Sequence, residues 1–316
     1  MKKIRAQAAL VANVDIPVLL LGESGTGKEV LGRLVHKLSP RAHRTFLKVN
    51  CAAVPADLLE SELFGYEAGA FTGATHPKPG KFELCNRGTI LLDEIGEMPP
   101  QLQAKLLHVL QDQQFSRLGS RTVIKVDVRI LAATNINIPE ALANKSLRED
   151  LYYRLNAFTL SLPPLRERKE EVPILLKHFM SRMSELYGRP PLPLSPTLME
   201  ACLAHSWPGN LRELSNFVKR YLILADEKLA VSELHPKGET GSAGGGQGDE
   251  EGGLKSLGRN AKDEAEADAI AKALDQTNWN RKQAAALLKI SYKALLYKIR
   301  HYRLGETGER KLSARA

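Results

Sequence analysis

The chain has 316 residues, 43% hydrophobic and 26% charged, enough for two or three domains and a sizeable core. No apolar run approaches the ~20 residues of a membrane span, the stretch after the basic start Met1–Arg5 is too short and mixed for a signal peptide, and Cys51, Cys85 and Cys202 lack CxxC spacing, which argues against disulfides and zinc and fits a reducing cytoplasm. Of the net charge of +9, nearly all lies from Asn278 onward, where ten basic residues face only Glu306 and Glu309, the electrostatic footprint of a nucleic-acid binder.

Lys2 to Val14 has the spacing of a short amphipathic helix, broken by Asp15-Ile16-Pro17. Val18 to Leu21 then reads as a buried strand, Gly22-Glu23-Ser24-Gly25-Thr26-Gly27-Lys28 as a glycine-rich phosphate cradle, and Glu29 to Leu38 as the helix after it. The chemistry needs that order. Glycines let backbone N–H groups close around phosphate oxygens, the helix N-terminus adds partial positive charge, and Lys28 adds a full one. The bare spacing arises by chance roughly 0.1 times in a chain of this length, so the flanking strand and helix are what identify a P-loop. Glu29 departs from the usual pattern: it stands where Ser or Thr contacts Mg²⁺, which shifts the metal onto another carboxylate.

Thr45 to Asn50 has strand character and Asp57 to Tyr66 has a helical period. Gly69-Ala70-Phe71-Thr72-Gly73-Ala74 then interrupts a run of helix formers. Two glycines around an aromatic and a threonine make either a flexible loop tipped by Phe71 or a plain connector with Phe71 tucked away. Thr89 to Asp93 is an apolar strand ending in Asp93-Glu94. Behind a P-loop, Asp93 is placed to hold Mg²⁺ and Glu94 to orient the attacking water.

The octet Gly22–Glu29 together with Gly69–Ala74 resembles the sigma-54-dependent transcriptional activators, the bacterial enhancer-binding proteins of the AAA+ ATPases. The likeness continues through Phe82-Glu83, Asp93–Met98 and Gln103–Leu107. It implies an α/β fold: an AAA+ P-loop core with a parallel sheet, a small all-α lid and an all-α helix-turn-helix domain. It further implies that Gly69, Ala70, Phe71, Thr72, Gly73 and Ala74 form the loop that engages sigma-54, assisted by a second loop at Arg117-Leu118-Gly119-Ser120. By the same likeness, ATP is held by Gly22, Glu23, Ser24, Gly25, Thr26, Gly27, Lys28 and Glu29. Val126 to Asn135 is another apolar strand, and its tip, Thr134 and Asn135, resembles a sensor of the γ-phosphate. Asn50 resembles the asparagine that restrains the catalytic Glu94. Arg148 and Arg154, which composition alone would leave as a solvated helix face, resemble arginine fingers that reach a neighbour's nucleotide, and this implies a ring, most often a hexamer.

Phe158 to Leu162 reads as a last strand, closing an α/β core over residues 1–163. Helices over Glu171–Leu186, Thr197–His205 and Arg212–Leu224 make a lid over 164–235, in which Trp207–Leu214 resembles a sensor II element with Arg212 on the phosphates. Residues 236–257 are Gly-, Ser- and Glu-rich and read as a flexible linker. In 258–304, helices Ala261–Leu274 and Arg281–Leu288 precede a third that Ser291 N-caps, packed through Ala285, Leu288, Ile290, Leu295 and Ile299. Ser291, Tyr292, Lys293, Tyr297, Lys298 and Arg300 then form the DNA-binding face, similar to Fis-type domains, although Lys289 stands in a turn that often holds glycine. A helical hairpin used for dimerisation is the other reading, and Fis-type domains also dimerise. Residues 305–316 are a basic tail.

The resemblance implies a cytoplasmic ATPase with ATP and Mg²⁺ as cofactors and sigma-54 RNA polymerase, upstream double-stranded DNA and copies of itself as partners. The competing expectation is a nucleotide-responsive DNA-binding regulator that does not remodel sigma-54. Only 17 residues precede the first strand, too few for a sensory domain, so the expectation is a constitutive chain, one controlled by a separate partner, or a fragment.

Overall fold

The computed structural model describes residues 1–234 and, beyond them, 270, 272–274, 277, 280–288, 292 and 295. The chain divides into two units, Met1–Glu239 and Thr240–Ala316.

In the first unit α1 (Lys2–Ala12) leads into β1 (Val18–Leu21), α2 (Lys28–Lys37), β2 (Phe46–Asn50) and α3 (Ala56–Phe64). A short antiparallel ladder of β3 (Gly65–Tyr66) and β4 (Lys78–Pro79) carries the Gly69–Ala74 loop between its strands. There follow α4 (Lys81–Leu84), β5 (Thr89–Asp93), α5 (Pro100–Asp112), a hairpin of β6 (Gln114–Ser116) and β7 (Val123–Lys125), β8 (Arg129–Thr134), α6 (Ile138–Ala143), α7 (Glu149–Leu155) and β9 (Thr159–Ser161).

Strands covered on both faces need unbroken apolar runs, and Val18-Leu19-Leu20 and Ile90-Leu91-Leu92 supply them. They sit in a five-stranded parallel sheet ordered β2-β5-β8-β1-β9. Neighbouring residues face opposite ways: Leu92 joins Leu59, Leu63 and Leu106 beneath α3 and α5, while Leu91 joins Val11, Leu31 and Val35 beneath α1 and α2. The register sets Asn50 beside Asp93, Asp93 beside Ala133, and Leu21 beside Thr134, so the carboxyl ends of four strands line one edge. In open α/β sheets, ligands bind at that edge.

Beyond the sheet, α8 (Val172–Tyr187), α9 (Pro196–Ala204), α10 (Asn210–Leu224) and α11 (Glu227–Leu234) pack around Leu176, Trp207 and Phe217. Ser195 caps α9 by accepting the Leu198 N–H at 3.1 Å, and the Trp207 indole N–H donates to the Cys202 carbonyl at 2.8 Å. The sequence reading had no counterpart of α11 or of the β3–β4 ladder.

In the second unit, Ile270, Ala273 and Leu274 share a small apolar cluster with Ala284, Ala285 and Leu295, against which Leu288 packs. Arg281–Leu287 is helical and Tyr292 is 44% exposed. Ser291, Lys293, Tyr297, Lys298 and Arg300 lie outside the described residues, as do Lys289, Ile290, Ile299 and the segments 236–257 and 305–316. Among the described residues no helix is long and apolar enough to cross a membrane.

Candidate functional site

From Leu21 the chain turns through Gly25 and Gly27, whose φ values of 78° and 101° lie in the left-handed region that favours glycine. A Cβ on Gly25 would stand 2.4 Å from the Gly209 carbonyl, because loop and lid backbone meet there. Lys28, the first residue of α2, is 6% exposed. Its Nζ donates to the Gly22 and Glu23 carbonyls at 2.7 and 3.2 Å and lies 3.9 Å from Glu94 Oε1. The ammonium is thus folded across the mouth of its own loop. Burial lowers its pKa against the opposing pull of Glu94 and Asp93.

Asp93 ends β5, and Glu94 follows with a left-handed φ of 55°. Glu94 Oε2 is buried and has no hydrogen-bond partner, a costly state for a carboxylate oxygen. Asp93 Oδ2 lies 2.9 Å from Lys48 Nζ, which also holds Glu29 Oε2 at 2.8 Å, and Arg33 takes the other Glu29 oxygen at 2.9 Å. Lys48 above all holds the Glu29 carboxyl below its ordinary range. Burial, then the charges of Asp93 and Glu94, pushes the Cys51 thiol up to about 12, so it stays protonated and unreactive.

Asn50 reaches the same edge, but its Oδ1 accepts the Ala52 N–H at 3.0 Å rather than meeting Glu94. Thr134 is buried at the end of β8, with its hydroxyl accepting the Ile136 N–H at 3.3 Å, and Asn135 beside it is exposed. From the lid, Arg212 Nη1 donates to Ser24 Oγ at 3.0 Å.

Three further lid residues hold the loop, and sequence reasoning missed all of them. Asn210 is fully buried with φ of 52°. Its Nδ2 donates to Glu23 Oε2 at 3.2 Å and the Ser24 carbonyl at 3.0 Å, while its Oδ1 accepts the Leu165 N–H at 2.7 Å. Arg166 grips both Glu23 oxygens at 2.5 and 2.9 Å, and buried Arg168 donates to the Thr26 carbonyl at 2.8 Å. Arg166, then Asn210, holds the Glu23 carboxyl below its usual range. A Trp-Pro-Gly-Asn turn was the available signal for Asn210, since Asn tolerates the left-handed region after glycine. Nothing local marks Arg166 or Arg168.

Arg148 and Arg154 are not brought to this edge. Arg148 is exposed and doubly bonded to Asp150, Nε to Oδ1 at 3.0 Å and Nη2 to Oδ2 at 2.6 Å, beside an open cavity of about 640 Å³. Arg154 donates to the Leu110 carbonyl at 3.3 and 3.4 Å, near the C-terminal end of α5.

The Phe71 loop is neither a bare tip nor a tucked connector. Phe71 is 44% exposed and meets the Tyr66 ring edge-on, centroids 4.9 Å apart. The Gly69 N–H donates to the Ala74 carbonyl at 2.8 Å, closing the neck of the loop. Below it Arg117 bonds Glu83 at 2.6 and 2.9 Å and Glu67 at 3.1 Å. A Cβ on Gly119, φ 76°, would stand 3.0 Å from the Ala70 Cβ, so the two predicted surface loops touch.

The sequence matches three family models: the Sigma-54 interaction domain over residues 1–161, the AAA+ ATPase lid domain over 166–249, and the bacterial regulatory proteins of the Fis family over 263–302. It is 45% identical over 314 residues to the regulatory protein AtoC of Escherichia coli strain K12, covering 96% of this chain and 66% of AtoC. It is also 45% identical over 312 residues to the transcriptional regulatory protein XylR of Pseudomonas putida, covering 95% of this chain and 55% of XylR. The crystal structure of NtrX from Brucella abortus in complex with ATP matches with a TM-score of 0.71 at 33% identity, over 96% of this chain and 67% of that one. The chain therefore spans only part of the curated relatives it matches.

Proposed function

The chain belongs to the sigma-54 interaction domain family, with an AAA+ lid and a Fis-family segment, and on that premise we propose that it is an ATP-hydrolysing transcriptional activator. It binds DNA upstream of a promoter and uses ATP turnover to convert the sigma-54 RNA polymerase closed complex to the open one, in the cytoplasm. Residues 1–163 act as the ATPase core, 164–235 as its lid, 236–257 as a linker and 258–304 as the DNA-binding domain. Ser291, Tyr292, Lys293, Tyr297, Lys298 and Arg300 are its DNA-facing residues.

In this reading Lys28 exchanges the Gly22 and Glu23 carbonyls for phosphate oxygens, and Arg212 moves the short distance from Ser24 to the same phosphates. The residues fit a magnesium–nucleotide: Gly25 and Gly27 turn the chain in the left-handed region into the N-terminus of α2 with Lys28 beside it, and Glu94 Oε2 is a buried acceptor without a partner. Mg²⁺ takes one or two carboxylates together with phosphates, and Asp93 is the residue to hold it. Once bound, the metal neutralises charge that develops on the transferred phosphoryl group. Glu94 orients water at the γ-phosphate, Asn50 turns from Ala52 to restrain Glu94, and Thr134 and Asn135 contact the γ-phosphate from β8. Arg148 and Arg154 act on the nucleotide of a neighbouring copy, so the working form is a ring, by family habit a hexamer.

The observation that carries the proposal is the half-exposed Phe71, held on a closed loop whose base is tied through Arg117 to Glu83. Glu83 lies in α4, which leads directly into the β5 strand that ends at Asp93. The test is in vitro transcription from a sigma-54 promoter. Phe71→Ala is expected to keep ATP turnover and DNA binding and to lose open-complex formation, and normal activation by that variant would contradict the proposal.

A further inference from the structure

The geometry points to Lys48 as a built-in counter-cation that stands on Asp93 until a divalent metal replaces it, with Glu29 as its parking place. The inference rests on the magnesium–nucleotide reading above. Glu29, Asp93 and Glu94 gather three carboxylates at the mouth of a site that receives a polyanion. Lys28 approaches Glu94 at 3.9 Å, Arg33 takes one Glu29 oxygen at 2.9 Å, and Lys48 bridges the other Glu29 oxygen (2.8 Å) and Asp93 Oδ2 (2.9 Å). Among the described residues, Lys48 makes the one ion pair of Asp93. An ammonium on a flexible stem is a mobile point charge. When a metal takes Asp93, the Lys48 ammonium keeps Glu29 and needs no new partner, so no charge is stranded.

This also accounts for a glutamate at position 29, where the usual pattern has a metal-ligating hydroxyl. Glu29 does not ligate the metal. It retains the cation that the metal displaces. Lys48 is thus a positioning residue that acts through Asp93, and it sets how strongly nucleotide binding depends on the metal.

The experiment is isothermal titration of the full chain with ATP, once in EDTA and once in Mg²⁺, reading the ratio of the two dissociation constants. In Lys48→Gln, metal-free ATP loses a favourable charge and weakens about tenfold, while the competitor for Asp93 is gone, so the ratio rises about tenfold or more. Lys48→Arg keeps the charge, and its ratio remains within about threefold of wild type. Glu29→Gln removes the parking place, holds the ammonium on Asp93 and lowers the ratio. The Lys48 side chain is 31% exposed, so these variants should fold, which melting curves will verify. A ratio unchanged in Lys48→Gln, with both constants weakened alike or neither moved, overturns the role of Lys48 alone. Failure of the wild type to bind ATP in both buffers overturns the nucleotide reading and this inference with it.

Discussion

At the P-loop, lid residues from far along the chain hold Glu23, Ser24 and Thr26, whereas among the described residues the exposed side chains of Arg148, Arg154 and Phe71 each have one partner residue. Asn210 alone bonds Glu23, Ser24 and Leu165, and Arg166 and Arg168 add the Glu23 carboxylate and the Thr26 carbonyl. Among the described residues, the Arg148 side chain bonds only its neighbour Asp150, that of Arg154 one carbonyl of α5, and the Phe71 ring meets the edge of Tyr66. The contrast fits the proposed roles. A group that stabilises charge within its own chain gains from being fixed beforehand. A group that must transfer to another molecule gains from a partner it can leave cheaply, as exposed ion pairs allow.

The sharpest way to break this contrast is at α7. Arg148→Ala is expected to lower ATP turnover about 10³-fold with ATP binding retained. Mixing it with Lys28→Ala chains should restore part of the turnover, because each chain then supplies what the other lacks. No recovery in the mixture would mean that the finger acts within its own chain. A middle-sized effect is expected at the lid. Asn210→Ala loses four hydrogen bonds and forces a Cβ without a polar tip into the left-handed region, at about 2–4 kcal/mol by urea unfolding. Asn210→Gly loses the same bonds but fits the backbone, so it should cost about 1 kcal/mol less. Equal losses would show that the backbone conformation adds nothing.

The smallest effect concerns pH. The Glu23 carboxyl is depressed by Arg166 and Asn210. A depressed carboxyl contributes stability above its unfolded pKa of about 4.3 and loses it as pH falls through the folded value. The melting-temperature gap between wild type and Glu23→Gln should therefore be constant from pH 5 to 8 and close below about pH 4. The gap itself is small, since the pair is exposed and screened. A gap that opens on acidification would contradict the assigned sign.

The sequence made the sheet legible because its signals are local. Val18–Leu21 and Thr89–Asp93 are unbroken apolar runs, and the cradle is written in consecutive glycines and Lys28. The helix of the P-loop begins at Lys28, within one residue of the expected start. What stayed hidden depends on contacts across long separations. Lys48 meets Asp93 from a different strand, and Arg166 and Asn210 meet Glu23 across 143 and 187 residues. No periodicity or spacing carries such pairings. The β3–β4 ladder escaped because two-residue strands leave no alternation to read.

Glu94 combines two unfavourable features: a left-handed backbone that glycine would occupy freely, and a buried oxygen with nothing to bond. Replacing it with glycine would relieve both while erasing the group proposed to direct water. The residue proposed to direct the water is thus one whose backbone and buried oxygen both count against the fold. Ranking variants of this chain by sturdiness would lead toward an inert protein, and only a screen that counts turnovers would keep position 94 as it is.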